Sequence, residues 1–284
     1  MTGGRSEPGE PSVRVFATAD DAAHDAAHRI ADALTAAVAA RGRADWATTG
    51  GSTPVGVYRA LREPEFRDRV PWADVHVWWG DDRFVPRDHP LSNVLPFDQV
   101  LLDAAALGDL SGSGEDVVSV ELGVVAAVRM PVDHVHAMPI GEAIGEGEPA
   151  SWVAEAYEAE LRAADLPLDE SGFPIFDVIF AGIGGDGHVL SAFPGSTVFE
   201  DGGWVKAVPA PQHIEPHVER VSLNPAIFAA TRLPLIVILG PSKRDIAATL
   251  LGPERDPARW PAQVARRAGA EWLLDADSAA GLPR

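Results

Sequence analysis

Short apolar runs alternate with helix-like stretches along this chain, and that alternation most limits the folds open to it. Residues 235–239 read LIVIL, an uninterrupted apolar run typical of a strand buried on both faces of a sheet. Strands of this kind that alternate with helices build α/β folds around a parallel sheet. The chain therefore predicts an α/β fold with a mostly parallel sheet.

The same pattern locates the individual elements. A long helix is predicted over residues 20–40, which contain no Pro or Gly, and it should end near Gly42. A second helix is predicted from Pro54, with Thr53 as its N-cap. Further helices are predicted over residues 151–164 and 257–268. Strands are predicted over residues 13–16, 44–48, 75–79, 176–181, 235–239 and 271–274.

The length of the chain and the composition of its N-terminal segment indicate how many domains to expect and where in the cell the protein would lie. A chain of 284 residues fits one large domain or two small ones, and without an obvious linker we expect a single domain over residues 1–284. Residues 1–11 (MTGGRSEPGEP) are polar and rich in Gly and Pro, and we expect them to be flexible. They lack the apolar stretch of a signal peptide, and no later run is long enough to span a bilayer, so we expect a cytoplasmic protein.

Charge narrows the range of partners. With 42 acidic and 23 basic residues the formal net charge is −19, which disfavours nucleic acid and anionic membranes as partners. A phosphorylated ligand is also repelled, so its site must gather cations of its own. The chain has no cysteine, which excludes disulfides, thiolate metal sites and a cysteine nucleophile. We expect no metal or cofactor, and a monomer or small homo-oligomer.

Four polar segments follow predicted strands, where open parallel sheets bind their ligands. The first, residues 48–54, reads TTGGSTP. Gly50 and Gly51 allow a ligand to approach the backbone, and Ser52, Thr53 and the helix N-terminus offer donors to phosphate or sugar oxygens. An ordinary capped turn is the alternative interpretation, and no Gly-Lys-Ser/Thr follows to make a Walker loop.

Two further segments carry charges. Asp81, Asp82 and Arg83 follow residues 75–79, and adjacent acids are costly to bury unless they are paired. Taken alone, they are more simply interpreted as a solvated turn with a local salt bridge. Lys243 follows residues 235–239 and could bind phosphate as a point charge, or be an ordinary surface lysine.

The remaining segment, residues 176–196, reads FDVIFAGIGGDGHVLSAFPGS. Its dense glycines bracket Asp186 and lead to His188, so an acid and an imidazole would lie at the end of a strand. Histidine is suited to general base catalysis, typically worth ~10²–10⁴-fold. A lone histidine is more often structural, but this setting favours a catalytic one. The glycine spacing does not match a dinucleotide-binding fingerprint.

Other histidines make weaker candidates. His24 and His28 lie one helical turn apart, but no third zinc ligand is evident near them. His134 and His136 share a face if their stretch is a strand, and two histidines alone do not make a metal site. The absence of a Gly-x-Ser-x-Gly motif argues against an α/β-hydrolase.

Taken together and in order, these segments resemble the 6-phosphogluconolactonase family, whose members share a modified Rossmann-like fold with glucosamine-6-phosphate deaminases. The resemblance extends over nearly the whole chain, and the combination is far more specific than any single piece. The matching pieces are TTGGSTPVGVYRAL (48–61), WWGDDRFVPRDHPLSN (78–93), FDVIFAGIGGDGHVLSAFPGS (176–196), ERVSLNPAIF (219–228) and LIVILGPSKRD (235–245).

The resemblance implies a modified Rossmann-like sheet flanked by helices on both faces. It also implies hydrolysis of 6-phospho-D-glucono-1,5-lactone to 6-phosphogluconate, a step of the oxidative pentose phosphate pathway. His188 is implied as the general base, with Asp81 in the pocket, and either Asp186 or Asp81 would assist the imidazole. The residues implied around the sugar phosphate are Gly50, Gly51, Ser52, Thr53, Arg83, Arg220 and Lys243.

The chain departs from the family pattern at several places. Asp82 stands where the family usually has Glu, Val189 where it usually has Thr, and residues 111–131 suggest an insertion. Deaminases usually place a Glu shortly after the histidine, whereas residues 191–194 here read SAFP, which favours the lactonase. A deaminase or sugar-phosphate isomerase is the alternative. A sugar-phosphate sensor is less favoured, because no DNA-binding segment precedes Val13 and the chain is strongly acidic.

Overall fold

The computed structural model describes residues 9–102 and 127–283, except for the side chain of Ser52. Residues 1–8 of the segment expected to be flexible, and most of the suspected insertion at 111–131, lie outside these ranges. The main sheet has seven parallel strands in the order β1-β10-β9-β6-β2-β3-β5. These strands are β1 (Ser12–Phe16), β2 (Ala44–Thr48), β3 (Val75–Trp79), β5 (Val135–His136), β6 (Val178–Ala181), β9 (Leu233–Ile238) and β10 (Glu271–Asp275).

Helices cover both faces of this sheet, as two tryptophans show. Trp46 on β2 lies opposite Val77 on β3, so it points away from the face that Trp78 occupies. Trp46 contacts Tyr58 of α2 (Ser52–Leu61), with ring centroids 6.2 Å apart. Trp78 contacts Tyr157 of α5 (Ala150–Ala163) at 6.0 Å. The predicted α/β architecture, with helices on both faces, is therefore confirmed.

The long helix α1 (Ala19–Arg41) follows from local signals in its sequence. Thr18 caps its N-terminus by accepting a hydrogen bond from the backbone N–H of Asp21. Gly42, at φ 77°, ends it in the left-handed conformation that glycine adopts without strain. A stripe of buried alanines faces the sheet, and their small side chains allow close approach. The remaining helices are α3 (Pro64–Arg67), α4 (Ile140–Glu146), α6 (Ile227–Ala230) and α7 (Arg244–Leu250).

All six predicted strands are present, but two helix predictions are wrong. Residues 257–268 contain only a 3₁₀ turn, Pro261–Ala265, because a proline inside the stretch lacks an N–H and holds Trp260 out of the helical region. Thr53 is not an N-cap, since α2 begins at Ser52 and its N-cap is Gly51. Gly51 has φ 93°, a conformation that favours glycine and lets the chain turn into the helix before Thr53.

A second, antiparallel sheet was not predicted at all. It contains β4 (Asp81–Arg83), β7 (Val205–Val208) and β8 (Arg220–Leu223) in the order β4-β8-β7. Gly80 connects β3 of the main sheet to β4, donating to the carbonyl of Thr48 and accepting from the N–H of Leu223. The small sheet is thereby attached to the carboxyl ends of the parallel strands. Within the described ranges, the helices are all too short or too polar to cross a lipid bilayer.

A stack of histidines at the β3–β5 edge predicts acid sensitivity. The ring of His76 lies 3.8 Å from that of His134, and its Nδ1 lies 2.9 Å from Nε2 of His136. Burial, followed by the positive charge of Arg43, lowers the pKa of His76 to about 4. As the pH falls, His76 therefore binds a proton at a lower pH in the folded chain than in the unfolded chain, whose histidines titrate near pH 6.5. The stabilisation from neutral His76 is complete above that pH and is lost as the pH falls towards 4.

We expect His76→Gln to weaken this acid sensitivity. Urea unfolding of both proteins at pH 7.5 and pH 5 measures the loss in free energy of unfolding on acidification. That loss should be smaller in the variant, because Gln has no proton to gain. An equal loss in both proteins would show that His76 does not contribute to the acid sensitivity.

Candidate active site

A cavity of about 270 Å³ lies beyond the carboxyl ends of four adjacent strands, β9, β6, β2 and β3. Each strand is followed by a segment that lines it, and the loop between β7 and β8 supplies a further wall. In parallel sheets this is the edge where ligands bind. The lining residues discussed below are Gly50, Gly51, Thr53, Asp81, Arg83, Asn93, Gly184, His188, Arg220 and Lys243.

His188 is held in one orientation by its own loop. Its Nδ1 lies 2.6 Å from Oδ1 of Asp186, and the same oxygen accepts the backbone N–H of His188 at 3.1 Å. An ionised carboxylate accepts only, so Nδ1 is the nitrogen that carries the proton, and in the neutral ring Nε2 has the free lone pair. Since His188 lines the cavity, Nε2 is the ring nitrogen left for a proton from a ligand or water there.

The tight loop before His188 depends on Gly184. Its N–H donates to the carbonyl of His188 at 2.9 Å, which closes the loop. A Cβ at position 184 would lie 2.5 Å from Oδ1 of Asp186 and would overlap the imidazole of His188. Only glycine allows the imidazole and the carboxylate to meet at this point. Gly187, at φ 86°, also has a backbone conformation that favours glycine, so at least two of the dense glycines shape this loop.

Asp186 lies behind His188 rather than among the groups that line the cavity. Its second oxygen, Oδ2, lies 2.7 Å from Nε2 of His213, so the carboxylate bridges two imidazoles. Burial raises the pKa of Asp186, but the hydrogen bond and charge of His188 and the hydrogen bond of His213 outweigh it and hold this pKa well below its usual range. The carboxylate is therefore ionised at neutral pH. His213 went unnoticed in the sequence, because its loop has no glycine cluster or apolar pattern.

Asp81 belongs to a different network from His188. Its Oδ2 accepts from the hydroxyl of Ser191 at 2.7 Å, and its Oδ1 accepts from the side-chain amide of Asn93 at 3.1 Å. Asp186 and Asp81 were the two acids predicted to assist the imidazole, and Asp186 is the one that contacts it. Asp81 lines the cavity, with 3% of its surface exposed, so its interpretation as part of a solvated turn was wrong. The catalytic role that the sequence analysis offered Asp81, as one of two acids that would assist the imidazole, stays a prediction.

Asp82 fastens the loop that carries Asn93. Its carboxylate accepts the backbone N–H groups of Asn93 at 2.6 Å and Arg83 at 2.8 Å, and the hydroxyl of Ser92 at 3.2 Å. Burial raises the pKa of Asp82 to about 7 in spite of these donors. Asp82, which is one methylene shorter than the Glu usual at this position in the family, thus has partners of its own in the neighbouring loop. It supports the site without lining the cavity.

Two arginines face each other across the small sheet. Arg83 on β4 is paired directly with Arg220 on β8, an arrangement in which like charges repel. Both line the cavity, and in each the buried Nε has no hydrogen-bond partner within the described ranges. Arg220 is only 2% exposed, and burial lowers its pKa. Arg83 is half-buried, and cations whose buried Nε donors are unused are what an anion site provides.

Lys243 and the loop before α2 add to the groups of the cavity lining that favour anions. Together with Arg83 and Arg220 they are called the cationic side of the cavity. Nζ of Lys243 donates to the carbonyl of Ile183 at 2.7 Å, so the lysine borders the cavity near the His188 loop. Gly50 packs so tightly on Asn93 that a side chain there would overlap it. Gly51 and Thr53 line the cavity at the N-terminus of α2, where backbone N–H groups favour anions. Ser52 begins this helix, and its side chain lies outside the described structure.

The histidines considered from the sequence as metal ligands lie outside the set of residues that line this cavity. Nε2 of His24 lies 2.9 Å from Glu65 and 3.6 Å from Glu63 on the surface, and His28 pairs instead with Asp32. Each of these two imidazoles thus contacts acids of its own. His134 and His136 belong to the stack with His76 described above.

Comparison with known proteins identifies the family. The model of the glucosamine-6-phosphate isomerases/6-phosphogluconolactonase family matches residues 17–274. A 6-phosphogluconolactonase from Mycobacterium tuberculosis is 32% identical over 274 residues, covering 96% of this chain and 98% of the relative. One from Streptomyces coelicolor is 33% identical over 280 residues, covering 96% and 95%.

Solved structures agree with this fold. A 6-phosphogluconolactonase from Trypanosoma brucei superposes with a TM-score of 0.76 at 26% identity, covering 97% of this chain and 100% of that one. A monomeric glucosamine-6-phosphate deaminase reaches a TM-score of 0.71 at 16% identity, covering 95% and 99%, and so shares the fold alone. The family match begins after β1 and spans the other strands of the main sheet, up to Leu274 in β10, and every segment that lines the cavity. The chain thus belongs to the family of glucosamine-6-phosphate isomerases and 6-phosphogluconolactonases.

Proposed function

We propose that this chain hydrolyses 6-phospho-D-glucono-1,5-lactone to 6-phosphogluconate. The observation that carries the proposal is that one cavity holds an oriented imidazole, His188, and two paired arginines, of which Arg220 is buried and Arg83 is half-buried. The imidazole provides a base for water, and the arginines provide a site for a phosphate. The names of the curated relatives support the same reaction. We assign it to the oxidative pentose phosphate pathway in the cytoplasm.

In the proposed mechanism, His188 activates water. Nε2 takes a proton as the water oxygen attacks C1 of the lactone, which is already electrophilic and needs no covalent nucleophile. The charge on the carbonyl oxygen is stabilised by backbone N–H groups of the glycine-rich loops that line the cavity. The C1–ring oxygen bond then breaks, and the imidazolium returns its proton to the departing oxygen. Asp186 keeps Nδ1 protonated and stabilises the imidazolium.

The phosphate is proposed to bind the cationic side of the cavity. Arg83 and Arg220 would direct their unused Nε donors to it, and Lys243 and the N-terminus of α2 add positive potential. An anion between the arginines relieves the repulsion that their pairing creates. Anchoring the phosphate also holds C1 against the attacking water, which lowers the entropic part of the barrier.

The deaminase reaction is the alternative on this scaffold. Phe193, in the stretch where deaminases carry the glutamate noted above, packs against His188 with ring centroids 4.8 Å apart. Ser191 of the same stretch donates to Asp81. This stretch offers no carboxylate to transfer protons during ring opening. We therefore favour the lactonase over the deaminase or an isomerase.

A pH-stat assay tests the proposal. Acid release from 6-phosphogluconolactone, corrected for spontaneous hydrolysis, should be fast, and release from unphosphorylated gluconolactone should be slow. Equal rates on the two lactones would refute the phosphate site. Ammonia release from glucosamine 6-phosphate, with no acceleration of lactone hydrolysis, would establish the alternative instead.

Arg83→Met tests the phosphate site directly, because it keeps an apolar stem and removes the guanidinium. We expect kcat/KM for the phosphorylated lactone to fall by about 10- to 100-fold, the effect of losing a hydrogen bond to a charged group. The rate on the unphosphorylated lactone should hardly change. Arg244→Ala is the matched control, since Arg244 is exposed and pairs with Asp245. A similar loss on both lactones would contradict the assignment.

A further inference from the structure

A second histidine contacts the Asp186 carboxylate from outside the motif that carries His188. His213 lies in the loop between β7 and β8, and its Nε2 lies 2.7 Å from Oδ2 of Asp186. Because Oδ1 is already engaged by His188 at 2.6 Å, the two imidazoles bind the two oxygens of one carboxylate. His213 is 51% exposed at its side chain, so the contact links the surface to the centre of the site.

Packing supports a defined geometry for this contact. The ring of Phe193 lies 4.8 Å from that of His188 and 5.8 Å from that of His213, edge-on to the latter. The guanidinium of Arg220 lies over the same ring at 5.0 Å. His213 is thus positioned against an aromatic ring that also contacts the proposed base. An exposed histidine with no role in the site would need neither contact.

We propose that His213 is a positioning residue that acts on His188 through Asp186. This inference rests on the proposed function, because it assigns His188 the role of base. His213 donates its Nε2–H to Oδ2, which fixes the plane of the carboxylate and draws part of its charge away from His188. The carboxylate then aligns the imidazole without holding it permanently in its charged form. A base that remained charged could not accept the proton of water.

Other charged groups around Asp186 belong to different elements of the fold. The charges of Arg220 on β8 and of Lys243 after β9 both interact with Asp186, and Asp81 interacts with Arg220. Of the described residues, only His188 and His213 make side-chain hydrogen bonds to this carboxylate. Changing His213 therefore alters a direct contact of Asp186 and leaves the distant charges in place.

Two substitutions separate the hydrogen bond from the packing. His213→Phe keeps an aromatic ring and removes the donor, whereas His213→Gln places a side-chain N–H close to the position of Nε2. In His213→Phe the full carboxylate charge acts on His188, so the acid limb of the kcat/KM profile should shift to higher pH by about half to one unit. We expect kcat at neutral pH to fall by up to about tenfold, with KM nearly unchanged. His213→Gln should restore both values.

His217→Phe is the control in the same loop. Nδ1 of His217 lies 2.7 Å from the carbonyl of Pro211, within the loop, so this variant disturbs the loop and leaves Asp186 untouched. Its acid limb should coincide with that of the unsubstituted protein. Equal losses in His213→Phe, His213→Gln and His217→Phe, with no shift of the limb, would show that His213 only anchors its loop and would overturn the inference.

A measurement without substrate separates this inference from the proposed function. NMR titration of the His188 ring in the folded protein should show its midpoint at higher pH in His213→Phe and near the original value in His213→Gln. If that shift occurs while the lactone is not hydrolysed, the coupling stands and the proposed reaction fails. If the lactone is hydrolysed and neither the midpoint nor the acid limb moves, the coupling is refuted and the reaction stands.

Discussion

Replacing His188 with alanine should lower kcat for lactone hydrolysis by about 10²–10⁴-fold, the range expected when a general base is removed. The loss falls on kcat because water loses its proton acceptor in the transition state, while the phosphate keeps its cations. KM and product affinity should therefore change little. A pH-stat assay on the phosphorylated lactone measures the rate, and calorimetric titration with 6-phosphogluconate measures binding.

The fold should survive this change, because His188 is a loop residue whose side-chain partner is Asp186 rather than the hydrophobic core. Its thermal unfolding midpoint should stay close to that of the unsubstituted protein. His24→Ala serves as the control, since His24 lies on α1 and contacts Glu65 at the surface. Near-normal turnover in His188→Ala would eliminate this residue as the base.

Gly184→Ala should lower kcat by on the order of 10²-fold, the cost of misplacing a catalytic group by about 1 Å. The added methyl group would overlap the imidazole of His188 and lie 2.5 Å from Oδ1 of Asp186. Both groups have to move, so the Nδ1 hydrogen bond that orients the base is lost. The neighbouring β6 strand is not involved, and we expect the far-UV circular dichroism spectrum to be unchanged.

The matched control for this substitution is Gly141→Ala in helix α4, where a Cβ meets nothing within 4 Å. It introduces the same methyl group away from the cavity and should retain full turnover. The His188 ring signals in an NMR titration should change in Gly184→Ala and not in Gly141→Ala. Full activity in Gly184→Ala would mean that the tight packing of the loop is not needed for catalysis.

The main sheet could be predicted because its signals are local. Residues 235–239 are continuously apolar, and a strand buried on both faces needs that property wherever it lies in the sheet. The glycines around Asp186 are also a local signal, because they permit a tight loop. These features identified the strands, the ends where a site could form and His188 as the candidate base.

The small antiparallel sheet could not be predicted, because its strands carry no such signal. β4 consists of Asp81, Asp82 and Arg83, which resemble a solvated turn and form a strand only because β8 pairs with them. That pairing joins segments more than a hundred residues apart. It determines which arginines face each other, and so whether the cavity has a cationic side.

The sequence by itself determined the α/β class, six strands of the main sheet, the end of α1 near Gly42 and the loop that presents His188. Periodicity, capping and glycine spacing depend on neighbours along the chain, and these are visible in any single sequence. Only the tertiary structure decided that Asp186 rather than Asp81 contacts His188, that Arg83 faces Arg220, and that His213 reaches the same carboxylate. The arginine pairing and the His213 contact join separate segments, whose positions are set by how the two sheets pack together. Asp186 lies only two residues from His188, and their contact is set by the three-dimensional shape of the loop, which the order of its residues does not reveal.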